Sequence, residues 1–228
     1  MLAMAGSSCS ATTRNYDLIV FDLDGVIIDS VGDIVAAVHH TLKLVGSQDR
    51  DFAFIRSCIP NTIRPFLLPC LDDHSKDRID EAVEVYKTYY EQNCTQHTVL
   101  YPGVREALEY FAGKKKLAVA TSNLSPATFK MLNGLNVFRY FDLIVTGDDV
   151  ERSKPDPESV NYILETLGCS RDAAIMVGDT PTDIVTGKNA GIATCAVLYG
   201  IGTLAELNRC APDFMVENLT ELKQIVTV

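Results

Sequence analysis

Apolar positions in this chain follow two alternating rhythms. In short runs such as Leu18-Ile19-Val20-Phe21 and Ala174-Ile175-Met176-Val177 every residue is apolar; between such runs, apolar residues recur every three or four positions. The first pattern is that of a strand buried on both faces and the second that of a helix packed along one stripe, so together they predict a parallel sheet wound by helices. Strands are expected over residues 18–21, 117–121, 143–146, 174–178 and 194–198, with a short one at 213–216. Val104, Ala107, Leu108 and Phe111 keep a helical period after Pro102-Gly103. Val160, Ile163, Leu164 and Leu167 do so up to Gly168, a natural residue just past a helix end. Leu219, Leu222 and Ile225 begin a last helix after Asn218, a good N-cap.

One interval breaks the alternation. From Asp29 to His97 only helical patterns occur, first at Val31, Ile34, Val35, Val38, Leu42 and Val45, then at Ile79, Ala82, Val83, Tyr86, Tyr89 and Tyr90, with Pro60, Pro65 and Pro69 between them. A crossover helix needs only about a dozen residues, so residues 29–97 are expected to form an inserted helical cap. The core then comprises residues 16–28 and 98–228, and residues 1–15 a flexible tail. Because the insertion leaves the sheet just after Asp24, it is expected to stand over the strand ends as a lid.

Those strand ends carry the candidate chemistry. The first strand runs into Asp22-Leu23-Asp24-Gly25, two carboxylates on one face followed by a residue that turns freely. Held that close, two like charges oppose each other's ionisation unless a cation intervenes or one is protonated. Alone, the motif could equally be an acidic turn. The second strand ends Thr121-Ser122-Asn123 before a helix beginning at Ser125-Pro126, where a hydroxyl and free N–H groups can hold phosphate oxygens or merely form a turn. Lys154 precedes Pro155, which keeps it out of the α conformation, and Asp156 and Pro157 are placed to cap the next helix. The fourth strand ends Gly178-Asp179-Thr180-Pro181-Thr182-Asp183, with Asp183 one turn beyond Asp179. Open α/β sheets place ligands at the carboxyl ends of their strands, where all four segments converge.

Composition narrows the partners. The chain of 228 residues carries a formal charge of −10 and has no basic stripe, its densest cluster being Lys114 to Lys116; a nucleic-acid partner is not expected. An acidic protein that takes an anionic substrate must offset its own field locally, for which a divalent cation is the usual means. No apolar run approaches the ~20 residues of a membrane span, and the N-terminus lacks a signal-peptide core. Seven scattered cysteines, never in a Cys-x-x-Cys pair, fit a reduced, cytoplasmic setting. The pair His39-His40 reads as packed or solvent-facing rather than as a metal ligand.

In this order, Asp22-Leu23-Asp24-Gly25, Thr121-Ser122-Asn123, Lys154-Pro155 and Gly178-Asp179-Thr180-Pro181-Thr182-Asp183 resemble the motifs of the haloacid dehalogenase superfamily, over residue 16 to the C-terminus. The helical insertion resembles its small α-helical cap, found in phosphoglycolate phosphatases, pyrophosphatases, nucleotidases and β-phosphoglucomutases. The resemblance implies a Rossmann-like core and a Mg²⁺-dependent phosphatase of a small phosphorylated substrate, acting as a monomer or homodimer. It further implies Asp22 as nucleophile, Asp24 as general acid and base, and Mg²⁺ held by Asp22, the Asp24 carbonyl and Asp179, with Asp183 either a further ligand or a group that orients them. Thr121 and Ser122 would bind phosphate, and Lys154 would neutralise the charge between Asp22 and phosphate.

Within the superfamily, a dehalogenase needs neither Asp24 nor Asp179, and a phosphonate-cleaving enzyme needs a cap lysine, whereas Lys43, Lys76 and Lys87 carry no sign of a pocket. A phosphoryl-transferring mutase and a non-enzymatic receiver-like switch are the alternatives to a phosphatase; the second acid at Asp24 and the long cap argue for turnover. Arg56, Asn61 and Arg64, beside the proline-marked stretch, are the candidates for recognising the rest of the substrate.

Overall fold

The computed structural model describes residues 15–59 and 62–228. The expected tail, apart from Asn15, lies outside the described residues, as do Cys9, Pro60 and Asn61. In chain order the strands are β1 (Leu18–Phe21), β2 (Ile28–Asp29), β3 (Val99–Leu100), β4 (Lys116–Ala120), β5 (Leu143–Val145), β6 (Ala174–Gly178), β7 (Ala193–Val197) and β8 (Phe214–Val216). Six of them form one sheet in the order β5-β4-β1-β6-β7-β8, every pairing parallel. The fold is the expected α/β type with a Rossmann-like sheet.

The apolar run of β1 reflects its central position. Ile19 and Phe21 face one side with Leu117, Val119, Ile175 and Val177, while Leu18 and Val20 face the other with Ala118, Ala120, Ala174 and Met176. Helices cover both sides. On the first, α5 (Val104–Phe111) and α6 (Ser125–Gly134) bury their stripes; on the second lies α7 (Glu158–Leu167), closed by Gly168 in the left-handed conformation. The remaining core helices, α8 (Pro181–Asn189) and α9 (Leu204–Cys210), pack on each other beside β7.

Small departures from expectation are local. Strands β4, β5 and β7 each end one residue early, although the Thr121 and Leu198 N–H groups still bond to the Val145 and Val216 carbonyls of the neighbouring strands, each at 3.0 Å. Helix α7 is capped one residue later than expected, at Pro157, while the Asp156 carboxylate accepts from the Glu158 N–H at 3.0 Å. Residues Leu219–Gln224 wind as a 3-10 helix rather than an α-helix, though Asn218 caps it as expected and accepts from the Thr220 N–H at 2.9 Å.

Among the described residues, the elements between β2 and β3 are all helical: α1 (Val31–Val45), α2 (Phe52–Cys58), α3 (Ile63–Leu67), a 3-10 turn at Leu68–Cys70 and α4 (Lys76–Asn93). The short helices α2 and α3 occupy the proline-marked stretch, where apolar periodicity over so few residues is invisible; Asp51 starts α2 by accepting from the Phe54 N–H at 2.8 Å. Antiparallel pairing of β2 with β3 closes the neck of the insertion, a ribbon of two residues per strand that no periodicity can reveal. His39 pairs with Asp49, and His40 stacks on Tyr89.

The neck is tied by Asp33. Buried on α1, its carboxylate accepts from the N–H groups of His97 and Thr98, both at 2.9 Å, and from the Thr98 hydroxyl at 2.8 Å. Asp33→Ala would strand these donors, and each unsatisfied buried group costs about 1–3 kcal/mol. We expect the variant to lose about 3 kcal/mol of stability, read as a lower urea midpoint at unchanged m-value. A midpoint equal to wild type would show that the neck does not depend on this carboxylate.

Candidate active site

The sheet reverses its order at β1, since the chain passes to β4 on one side and to β6 on the other. Diverging connections leave a crevice at such a point. The Asp22 N–H extends the ladder with one more bond, to the Val177 carbonyl at 2.9 Å, which sets its side chain at the mouth of that crevice. The chain then folds tightly, the Leu23 carbonyl accepting from Ile27 and Ile28. Gly25 makes the turn at φ +87°, and a Cβ there would lie 2.0 Å from Asp179 Oδ2. Only glycine lets the first and fourth motifs approach so closely.

Lys154 joins three strand ends. Its Nζ donates to Asp22 Oδ1 at 2.5 Å, to Asp183 Oδ1 at 2.6 Å and to the Ala120 carbonyl at 3.1 Å. Asp183 also receives the Thr180 hydroxyl and N–H on its other oxygen, at 2.7 and 3.1 Å, which fixes it in the first turn of α8. Asp24 stands apart from the lysine: the Ser30 hydroxyl donates to one oxygen and the Asn123 amide to the other. The Thr121 hydroxyl accepts from the Asn123 N–H at 3.1 Å.

Asp179 is fully buried. Its Oδ2 accepts from the Ile201 N–H at 2.7 Å, and its Oδ1 has no hydrogen-bond partner among the described residues. Carboxylate oxygens of Asp22, Asp179 and Asp183 all lie within 4.8 Å of one another. An orphaned buried carboxylate oxygen within a cluster of hard oxygen donors is what a small divalent cation requires. The residues therefore fit such a metal.

The electrostatics point the same way. Burial, then the Asp183 carboxylate, push Asp22 up to about 7 against the pull of Lys154. Burial also raises Asp24, opposed by its bond from Ser30, and it raises Asp179 well above the usual carboxylate range, reinforced by Asp183 and Asp22. For Lys154, burial works to discharge the ammonium but is outweighed by Asp183 and Asp22, so its pKa rises. One lysine does not balance this much buried negative charge.

Above the carboxylates lies a cavity of about 340 Å³. Asp22, Asp24, Thr121, Ser122, Lys154 and Asp183 form its floor, and α3 and α4 contribute Ile63, Phe66, Tyr86, Lys87, Tyr90 and Glu91 to its walls. The core candidates thus converge. Of the expected specificity residues, Arg56 and Arg64 do not line this cavity: Arg56 donates to the Gly200 carbonyl at 3.3 Å and Arg64 pairs with Asp80 on α4. Asn61 lies outside the described residues. Lys87 does line it, correcting the view that no cap lysine has a pocket context. The partners of Asp24, Asn123 and Ser30, sit in no sequence pattern distinct from an ordinary turn or helix start, so only the fold reveals that role.

Comparison with known proteins places the chain in a family. Residues 19–197 match the haloacid dehalogenase-like hydrolase family, and the chain belongs to it. It is 37% identical over 210 residues to a phosphoglycolate phosphatase of Aquifex aeolicus, an alignment covering 92% of this chain and 96% of that protein. Identity to the pyrophosphatase PpaX of Bacillus velezensis is 33% over 218 residues, covering 95% and 99%. Among solved structures, a haloacid dehalogenase-like family protein of Streptococcus pneumoniae superposes with a TM-score of 0.84 at 28% identity, covering 92% of this chain and 97% of its own.

Titration of the buried acids gives a measurable consequence. The folded value of Asp22, about 7, exceeds its ordinary value of 3.8, so between these the native state holds a proton that the unfolded state has lost. Stability from this source is present at low pH and lost as pH rises through that window; Asp24 and Asp179 shift in the same sense. In EDTA we expect the melting temperature to fall between about pH 5 and 7.5, and added Mg²⁺ to raise it more at the upper end, since a cation binds the ionised ligands. Asp22→Asn should flatten the profile. A wild-type profile with no slope and no Mg²⁺ response would contradict this account.

Proposed function

We propose that this protein is a Mg²⁺-dependent phosphatase that hydrolyses a small phosphorylated metabolite through an aspartyl-phosphate on Asp22. The supporting observation is the convergence of Asp22, Asp24, Asp179, Asp183 and Lys154 at the reversal point of the sheet, with Asp179 Oδ1 left unpaired. Names of the relatives favour a phosphatase, with short phosphorylated acids such as phosphoglycolate as the substrate class.

In this reading an Asp22 oxygen attacks phosphorus in line, and the bond to the leaving oxygen breaks as the new one forms. Asp24, whose pKa burial raises and whose carboxyl group Ser30 and Asn123 orient, gives a proton to that oxygen. Water then attacks the same phosphorus, Asp24 takes its proton, and the bond to Asp22 breaks to release phosphate. Thr121 and Ser122 hold the phosphate oxygens, and Lys154 pulls Asp22 towards its anionic form and stabilises charge as it builds. Asp22, the Asp24 carbonyl, Asp179 and Asp183 would hold a Mg²⁺ ion, whose positive charge would let an anionic phosphate approach so many carboxylates.

Residues 29–97 serve as a lid in this scheme, roofing the cavity that α3 and α4 line. A cytoplasmic location fits the six free cysteines among the described residues; no helix among those residues is long and apolar enough to cross a membrane.

Assay with p-nitrophenyl phosphate and Mg²⁺ tests the proposal. Wild type should turn over and EDTA should abolish activity. Asp22→Asn, nearly isosteric but unable to accept the phosphoryl group, should retain less than about a tenth of kcat. Asp24→Asn should be slower by about 10² to 10⁴ on a substrate with a poor leaving group and less impaired in phosphoenzyme formation on a good one. Asp179→Ala should raise the Mg²⁺ concentration needed for half-maximal activity. An active Asp22→Asn protein would remove that residue as nucleophile.

A further inference from the structure

The cavity walls opposite the carboxylates contain a cation that the proposed chemistry does not use. Lys87 lies on α4 with Tyr86, Tyr90 and Glu91, the four residues that this helix turns towards the cavity. Its neighbours are rigid: Tyr86 stacks on Tyr90 with ring centroids 5.6 Å apart and meets Phe66 edge-on at 5.8 Å. Against such a wall the lysine's aliphatic stem can pack while the ammonium stays free to reach a ligand.

Among the described residues, the other cations near the site are committed. Lys154 is locked between Asp22 and Asp183, Arg56 is bonded to the Gly200 carbonyl, and Arg64 is paired with Asp80. Lys130 donates to the Glu91 and Gln92 carbonyls at the end of α4, at 3.0 and 2.6 Å. Lys87 has one ionic contact, to Glu84 Oε1 at 3.6 Å, and the Glu84 side chain is 75% exposed. A surface pair of that kind contributes about 0–1 kcal/mol and gives way readily to a ligand.

The floor of the cavity is arranged around a phosphoryl group, and its volume of about 340 Å³ is at the lower end for a small-molecule site. A substrate seated on Asp22 therefore has a short remainder, bounded by mostly apolar side chains, by the exposed Glu91 and by this one ammonium. We infer that Lys87 determines specificity by binding an anionic group at the far end of the substrate, so that the preferred substrates are small phosphates bearing a second acidic group. The inference rests on the phosphatase reading for its floor but concerns only the opposite wall.

Binding measured without turnover tests it separately. In an Asp22→Asn background with Mg²⁺ present, calorimetric titration would compare 2-phosphoglycolate, inorganic pyrophosphate and ethyl phosphate, with Lys87 intact and as Lys87→Gln. We expect Lys87→Gln to weaken at least one of the two doubly acidic ligands about tenfold and ethyl phosphate by less than about twofold, with Lys87→Arg recovering most of the loss. A greater loss on phosphoglycolate assigns the far group as a carboxylate, and a greater loss on pyrophosphate as a phosphate. Equal losses on all three ligands, no loss on any, or no binding of either doubly acidic ligand overturns the inference. Failure of the wild type to hydrolyse p-nitrophenyl phosphate would instead overturn the phosphatase reading, with the binding comparison still decisive for Lys87.

Discussion

Buried negative charge at the end of β1 is the constraint around which the rest of this protein is arranged. Asp22, Asp179 and Asp183 are at most 7% exposed and crowd one lysine. Charges removed from water cost several kcal/mol each unless paired and hydrogen-bonded, and here the pairing is incomplete. That imbalance raises Asp22 and Asp179 and holds Lys154 charged; it leaves Asp179 Oδ1 without a donor. In the proposed reaction, a bound cation would offset this shortfall and make room for a phosphate.

Rigid elements hold the charges together against their repulsion. The sheet supplies Asp22 and Asp179 from adjacent strands β1 and β6, in a register that places Phe21 beside Val177. Helix α8 supplies Asp183, which both caps its first turn and receives the lysine. Glycines then let the backbone close in: a Cβ on Gly25 or Gly200 would fall 2.0 or 2.4 Å from Asp179 Oδ2. Structure and chemistry use the same bonds, since Lys154 joins segments more than a hundred residues apart in sequence.

The helical insertion works by different physics. Its helices pack through apolar stripes and stacked tyrosines, its tie to the core runs through the Asp33 carboxylate and the β2–β3 ribbon, and its inner surface is mostly apolar. Charge governs the floor of the cavity and packing governs its roof. A cavity divided in this way separates the reaction from the choice of substrate.

Much of this was legible in the residues alone. Strand β1 reads directly from four consecutive apolar residues because a central parallel strand is buried on both faces, and the order of the four motifs along the chain carries Asp22, Asp24, Thr121, Lys154, Asp179 and Asp183 to one end of the sheet. Local pattern was enough wherever a residue's role follows from its position at a strand end. It did not extend to α2, α3 or the β2–β3 ribbon, which are too short for a period to register, nor to which residues face the cavity from the insertion. Arg56 and Arg64 are as basic as Lys87, yet the paths of α2 and α3 turn them to Gly200 and Asp80, while α4 turns Lys87 inward. Asn123 and Ser30 become partners of Asp24 only when β4 and the neck of the insertion meet it. The sequence by itself determined the sheet and the chemical groups at its strand ends, because backbone periodicity and motif order are local properties. The tertiary structure alone decided which side chains surround the substrate, because that depends on how helices distant in sequence pack against one another.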